Sequence, residues 1–132
     1  MPNPAEDMQT HIASLIGSLT AGTNLFASKP RAPRSGVPTD SVFVWATPGR
    51  KPDLSMSYVD EIRRPTVLIS VRNARQKTGS DLAQSIFNTL RGTLPAGYLD
   101  LFSVMSSPVD NGYDSDGNHS FIISFTLAYL ET

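Results

Sequence analysis

Several features that enzymes and metalloproteins rely on are scarce or missing in this sequence. Its 132 residues include no cysteine, which excludes disulfides and thiolate metal sites. Only two histidines occur, His11 and His119, and we interpret both as structural. No Gly-x-Ser-x-Gly elbow and no glycine-rich nucleotide-binding motif is present. We therefore expect no enzyme activity and no cofactor.

Long apolar runs are also missing. No run of about 18 apolar residues occurs, and residues 1–7 lack the basic region of a signal peptide. We expect a soluble protein without a membrane partner. The lack of cysteine fits synthesis in a reducing compartment, or a particle assembled there.

Charge is nearly balanced overall but unevenly distributed. The net charge of −1 argues against general nucleic-acid binding, which needs a surplus of lysine and arginine. Residues 29–77 hold ten of the eleven basic residues against four acids, a local charge of +6, and residues 78–132 hold one basic residue against six acids, a local charge of −5. This asymmetry is compatible with an internal ion-pair network, a basic face for nucleic acid, or opposite faces that meet in neighbouring copies of a ring.

Two segments have the apolar spacing of an amphipathic helix. The chain is 39% apolar and 17% charged, which is typical of a folded single domain, here residues 1–132. Met8, Ile12 and Leu19 predict a first helix over about residues 5–20. Leu82 and Ile86 belong to a stripe that predicts a second helix over about residues 80–91, with a capping box at residues 78–81.

Runs rich in β-forming residues predict the strands. They cover residues 23–26, 42–46, 66–72, 99–105 and 121–129, with a weaker candidate at 56–62. Pro48-Gly49 is predicted to end the second run, and the segments 28–38 and 108–118 are predicted to be loops. We interpret Trp45 as a core residue. The order of elements predicts an α+β fold, a mainly antiparallel β-sheet of about five strands covered by two α-helices.

The acidic segment 108–118 has some of the oxygen ligands that Ca²⁺ prefers. Its acidic residues are Asp110, Asp114 and Asp116. An EF-hand loop that began at Asp110 would need glycine where Ser115 stands and a carboxylate where Phe121 stands, so the spacing does not fit. We interpret the segment as a turn-rich loop and expect no metal site.

Taken in order along the chain, these segments resemble the tail terminator, or tail-completion, proteins of long-tailed bacteriophages, also described as minor capsid proteins. The resemblance is carried by the short first helix followed by Gly-Thr-Asn-Leu-Phe at residues 22–26, a proline-rich loop, the apolar strand at 42–46, the strand at 64–72, the helix at 83–90, and the turn segment 108–117 ahead of the strand that begins at Phe121. It covers nearly the whole chain and rests on the order and size of the segments.

The resemblance implies a structural virion protein of the tail or neck. It implies a homohexameric ring at the head-proximal end of the tail tube, which ends tube polymerisation and joins the tail to the head connector. The partners would be other copies of the chain, the tail tube protein and a head-side connector or stopper protein. DNA would pass through the ring without sequence-specific binding, and assembly would take place in the host cytoplasm.

We expect the subunit and partner contacts in the loops 28–40, 47–57 and 108–118, because a rigid sheet holds the ends of such loops while their sequences remain free to vary. The candidate interface residues are Arg31, Arg34, Arg50, Lys51, Asp53, Arg63, Arg64, Arg72, Asp110, Asp114 and Asp116. Reversing the charge of Arg63, Arg64 and Arg72 together is expected to leave a folded protein that no longer closes rings.

Three alternatives remain open from the sequence. A head-completion or stopper protein would have the same structural role with different partners. A small-ligand-binding or enzymatic α+β domain would need a concave pocket with convergent polar groups, and the missing histidine, cysteine and glycine motifs count against it. A monomeric nucleic-acid adaptor would bind in a strongly salt-dependent way.

Overall fold

The described part of the chain forms two helices and six strands in a computed structural model. The structure describes residues 3–31, 38–54, 61–103, 105, 107–113 and 117–131, and it describes only the backbone of residues 48–54, 61 and 131. In chain order the elements are α1 Pro4–Leu15, β1 Leu25–Phe26, β2 Ser41–Leu54, β3 Glu61–Asn73, α2 Gln76–Leu90, β4 Asp100–Phe102, β5 Val109–Tyr113 and β6 His119–Glu131.

The strands belong to one sheet in the order β1-β2-β3-β6-β4, and β5 also pairs with β6. β1 runs parallel to β2, and the other pairings are antiparallel. The predicted α+β fold, with a mainly antiparallel sheet and two helices, is confirmed.

Both helices pack on the same face of the sheet, here called the helix face. Apolar residues at matching positions of β2, β3 and β6 cross this face in rows, such as Val44, Ile69 and Ile123. The helices cover these rows with Met8, Ile12, Ala83, Ile86, Phe87 and Leu90. Each large side chain buried here stabilises the fold by about 1.5–3 kcal/mol relative to an exposed one.

α1 is shorter than predicted. The side-chain Oδ1 of Asn3 caps its start by accepting a hydrogen bond from the backbone N–H of Glu6 at 3.2 Å. The helix ends at Leu15 because Ile16 is extended, with φ −123° and ψ 101°, and Gly17 follows with a low helix propensity. Leu19, predicted as part of the helical stripe, is buried beyond the helix end.

A partly buried side-chain contact holds α1 to the segment that precedes β4. Tyr98 is 6% exposed and its hydroxyl donates to Oδ2 of Asp7 at 2.6 Å. Burial first, and then the neighbouring carboxylate, raises the pKa of Tyr98 well above its ordinary value. The hydroxyl therefore keeps its proton and remains a donor at neutral pH.

α2 begins at Gln76 rather than at about residue 80. The predicted capping box is wrong, because Thr78 and Asp81 both lie within the helix and its N-cap, Arg75, makes no side-chain cap. Asn73 shapes the turn out of β3 instead, since its Oδ1 accepts a hydrogen bond from the backbone N–H of Arg75 at 2.9 Å.

Two strands extend into segments that were predicted to be irregular. β2 continues past Pro48 to Leu54, because its register with β3 shifts on either side of Arg50 and the shifts accommodate prolines that lack an N–H donor. β5 lies within the segment predicted as a loop, with a register shift at Gly112, whose φ of 81° suits glycine.

The other strands follow the predictions with changed lengths. β3 is longer than predicted, and β4 covers only residues 100–102 of the predicted 99–105. Most of the weak candidate at 56–62 lies outside the described residues.

The sheet is wider at one end than at the other. At the level of Phe43 the register joins five strands, in the row Phe26, Phe43, Ser70, Ile122 and Val109. Four residues further along β2, the described residues join four strands, in the row Thr47, Thr66, Thr126 and Phe102. These levels are called the five-strand end and the four-strand end.

Candidate functional site

The face of the sheet opposite the helix face, here called the open face, is the candidate functional surface. The row through Phe43 and the row through Thr47 both lie on this face. Trp45 and Leu68 are opposite each other between these two rows. Trp45, predicted as a core residue, is half-buried here and packs against a small cluster separate from the main core. The described residues place no helix on this face. Partly exposed apolar side chains interspersed with hydroxyls are suited to contact with another protein chain.

Arg72 holds the segment before β2 against the five-strand end of the open face. Its side chain is 6% exposed. Nε donates to the carbonyl of Thr39 at 2.9 Å and Nη2 to that of Pro38 at 3.0 Å, and Nη1 donates to the carbonyl of Arg31. The guanidinium also lies 4.9 Å from the centroid of the Phe43 ring. Arg72, a candidate interface residue from the sequence, therefore has a role within the fold, and we no longer expect its charge reversal to leave the protein folded.

Two stacked rings lie beside Arg72 and form the small second core. Phe26 and Phe43 are stacked with centroids 5.7 Å apart, and Phe43 is fully buried. The exposed Arg31 places its guanidinium 5.0 Å from the Phe26 centroid. This end of the open face is thus covered by the chain itself, whereas at the four-strand end the described residues leave Phe102 41% exposed.

Both edges of the sheet have stretches that pair with no other strand among the described residues. On its outer side β2 pairs with β1 only at Val42 and Phe43, which leaves residues 44–54 open. At the opposite edge, β4 pairs with β6 alone. Phe102 is 41% exposed and Leu99, just before β4, is 57% exposed. Unpaired edges that carry apolar side chains are templates for pairing with another chain.

The basic candidate residues of β2 and β3 lie toward the four-strand end. Arg50 is opposite Arg64 in the register. Arg63 and Arg64 are half-buried, and as neighbours on a strand they lie on opposite faces of the sheet, Arg64 on the open face. Lys51 and Asp53 continue β2 beyond Arg50. The structure thus brings Arg50 and Arg64 together.

Of the three acidic candidate residues in the segment 108–118, the structure describes only Asp110. Asp110 lies on β5 at the five-strand end, where its Oδ1 accepts a hydrogen bond from the backbone N–H of Gly112 at 2.8 Å. Asp114 and Asp116, like Arg34, lie outside the described residues. The structure therefore does not bring Asp110 together with the basic residues of β2 and β3 within one chain.

A polar groove of about 420 Å³ separates α2 from β5. Its lining includes Lys77, Asp81, Gln84 and Asp110, with Phe121 at the sheet. Lys77 and Asp81 form an exposed ion pair at 3.3 Å. Among the described residues, no group of three histidine or acidic side chains is placed to hold a metal ion.

The two histidines make structural contacts on different elements. Nε2 of His11 lies 3.0 Å from the hydroxyl of Thr93, which itself donates to the carbonyl of Leu90 at 2.7 Å, so His11 acts as the donor to Thr93. Partial burial lowers the pKa of His11 from its ordinary value. The ring of His119 packs edge-on against Tyr113, with centroids 5.7 Å apart.

The fold and this surface point to a class of proteins that contact other chains through a β-sheet. The features that do so here are the open sheet face and the two open sheet edges. The family comparison agrees with this class. Residues 15–131 match the family described as bacteriophage tail terminator proteins, so the chain belongs to that family and the resemblance found in the sequence is confirmed. The match includes α2 and all six strands. No curated protein matches the chain.

Membership places the chain among the structural components of the phage virion. In the part of the chain that the structure describes, no helix is both long enough and apolar enough to span a bilayer.

Proposed function

We propose that the chain forms a homohexameric ring at the head-proximal end of the tail tube, where it ends tube polymerisation and joins the tail to the head connector. The observation that carries this proposal is the family match, which extends over all six strands of the sheet. The family description also favours a terminator over a head-completion or stopper protein.

The shape of the sheet supports a ring. A closed ring needs two unlike surfaces on each copy, one that meets the preceding neighbour and one that meets the next. The two edges of this sheet are unlike, because one is formed by the long strand β2 with the two-residue β1 at one end, and the other is formed by the short strands β4 and β5. The open face and the loops then remain for the other partners.

Those partners are the tail tube protein on one side of the ring and a head-side connector or stopper protein on the other. DNA passes through the ring without sequence-specific binding, in keeping with a net charge of −1. The chain works by contact alone, without a cofactor and without catalysing a reaction. Its copies assemble in the host cytoplasm and leave with the virion.

Tail length tests the proposal. We expect particles assembled without the chain to have tails of irregular and extended length that are not joined to heads, and resupply of the intact chain should restore one length. Electron microscopy of purified tails measures this. Tails of uniform length joined to filled heads in the absence of the chain would contradict the proposed function.

A further inference from the structure

The open edges of the sheet differ in charge as well as in length. The basic segment 29–77, with a local charge of +6, contains β2 and β3, and the acidic segment 78–132, with a local charge of −5, contains β4, β5 and β6. Because β3 and β6 are neighbours in the sheet, the boundary between the segments follows the middle of the sheet. The strands on one side of this boundary therefore belong to the basic segment, and those on the other side belong to the acidic segment, which also contains most of α2.

The unpaired stretches of the two edges also lie at the same level. Phe102 of β4 pairs with Thr126, Thr126 with Thr66, and Thr66 with Thr47 of β2. At this level β1 has already ended on one side and β5 on the other. A copy beside the four-strand end, turned so that its β1 clears β5 at the five-strand end, would bring its β2 next to β4 without a shift along the strands.

The strand directions are compatible with such a joint. β2 is antiparallel to β3, β3 to β6, and β6 to β4, so β2 and β4 run in opposite directions. A neighbour's β2 beside β4 would continue the antiparallel pattern of the sheet. It would pair backbone groups left open on both strands, except at Pro48 and Pro52, which have no N–H, and at Leu101, whose N–H already donates to Oδ1 of Asp100 at 2.9 Å.

Charges match at the next pair of positions. Asp100 pairs with Ala128, and Arg50 pairs with Arg64, and the register of β3 with β6 puts both pairs at one level. Asp100 is exposed on β4, and Arg50 is the residue at the same level of β2. Opposite charges on facing strands stabilise the pairing.

We infer that neighbouring copies join edge to edge, with β4 of one copy pairing antiparallel with the 44–54 stretch of β2 in the next, so that one sheet continues around the ring. This inference rests on the proposed ring and identifies the surfaces that close it. The occupant of each open edge is a second copy of the chain.

Engineered cysteines test the joint, because the native chain has none to interfere. The test pair is Thr47→Cys with Phe102→Cys. Within one chain these positions are separated by three strand spacings, about 14 Å, which is too far for a disulfide. We expect mild oxidation of tails that carry the double variant to give a ladder of covalent multimers up to six chains on a non-reducing gel.

Three control variants define the specificity of the cross-link. Each single variant should remain a monomer on the gel. The pair Thr47→Cys with Ser85→Cys, which moves one cysteine to an exposed position of α2, should give no ladder. A dimer formed by Phe102→Cys alone would show a symmetric contact of β4 with itself and would overturn the inference.

Tail length, measured on the same particles, separates the two proposals. Uniform tails without a ladder would overturn the edge joint and leave the terminator function standing. If the cysteine variants fail to assemble, reversing the charges of the facing residues tests the joint instead. We expect Asp100→Arg to abolish the control of tail length. Adding Arg50→Asp to this variant should restore length control at least in part. Uniform tail length in the Asp100→Arg variant, or no recovery of length control in the double variant, would also overturn the proposed edge joint.

Discussion

Two arginines near the same end of the sheet differ in what surrounds them. Arg31 is exposed above Phe26, whereas Arg72 is buried and donates to three backbone carbonyls. A buried guanidinium is tolerated only when its donors are satisfied, and the fork of Arg72 matches carbonyls from both ends of the segment before β2. Arg72 therefore stabilises the fold, and Arg31 remains available to a partner.

We expect Arg72→Ala to lower the free energy of unfolding by about 2–4 kcal/mol, because it removes three hydrogen bonds and the contact with Phe43. Arg72→Lys should recover less than half of this loss, since an ammonium group cannot reproduce the planar fork. Urea denaturation followed by circular dichroism measures both. The exposed Arg75→Ala is the matched control, and we expect it to change stability by less than about 0.5 kcal/mol.

Equal stabilities of the Arg72→Ala and Arg75→Ala variants would show that other contacts hold the segment. The sequence could not distinguish Arg72 from Arg64, because both lie on the same strand with the same charge and on the same face. Their difference comes from Pro38 and Thr39, which lie far from Arg72 along the chain and next to it only after folding.

At the scale of the elements, α2 lies close to the sheet at a glycine. A Cβ added to Gly79 would lie 2.9 Å from Cε2 of Phe121, closer than such atoms approach in folded proteins, and 3.0 Å from Cβ of Asn73, which is an unusually tight contact. Phe121 is 5% exposed and packed in the main core, so it has little room to move. The first turn of α2 therefore packs on β6 because residue 79 has no side chain.

We expect Gly79→Ala to destabilise the protein by about 1–2 kcal/mol, although alanine favours a helix over glycine by about 1 kcal/mol. The added methyl group must displace either α2 or the Phe121 ring. The exposed Ser80→Ala in the same turn is the control, and it should be neutral or slightly stabilising. Thermal melts of both variants measure the difference, and a more stable Gly79→Ala variant would mean that helix propensity outweighs the clash.

Elements with a strong local pattern were predictable from sequence. β3, β6 and the body of α2 alternate or repeat their apolar residues, because each buries one side against the core. β5 was not predictable, since all five of its residues are exposed and only its backbone pairing with β6 makes it a strand. The open edges and the rows across the open face depend on the register between distant strands, which no local pattern specifies.

For the whole molecule, the opposite net charges of the segments that contain the two sheet edges predict a salt-sensitive assembly. We expect the dissociation constant of the ring to rise at least threefold, roughly, between 0.1 and 1 M NaCl, because the Debye length falls from about 10 to 3 Å over this range. Light scattering at several protein concentrations measures the association. The melting temperature of the single chain serves as the control and should change little, and a ring that becomes tighter with salt would indicate contacts dominated by apolar burial.

The difference in strand number between the two ends of the sheet has a geometric consequence for a ring joined at its edges. In the described part of the chain, each copy is one strand spacing, about 4.8 Å, broader at the five-strand end, so six copies would give two rims whose circumferences differ by about 29 Å and whose radii differ by about 5 Å. A tube made of identical layers has a constant diameter and can match only one of these rims. A funnel-shaped ring seated on the tube by its matching rim would offer the next tube layer a rim of the wrong diameter, so growth would stop there.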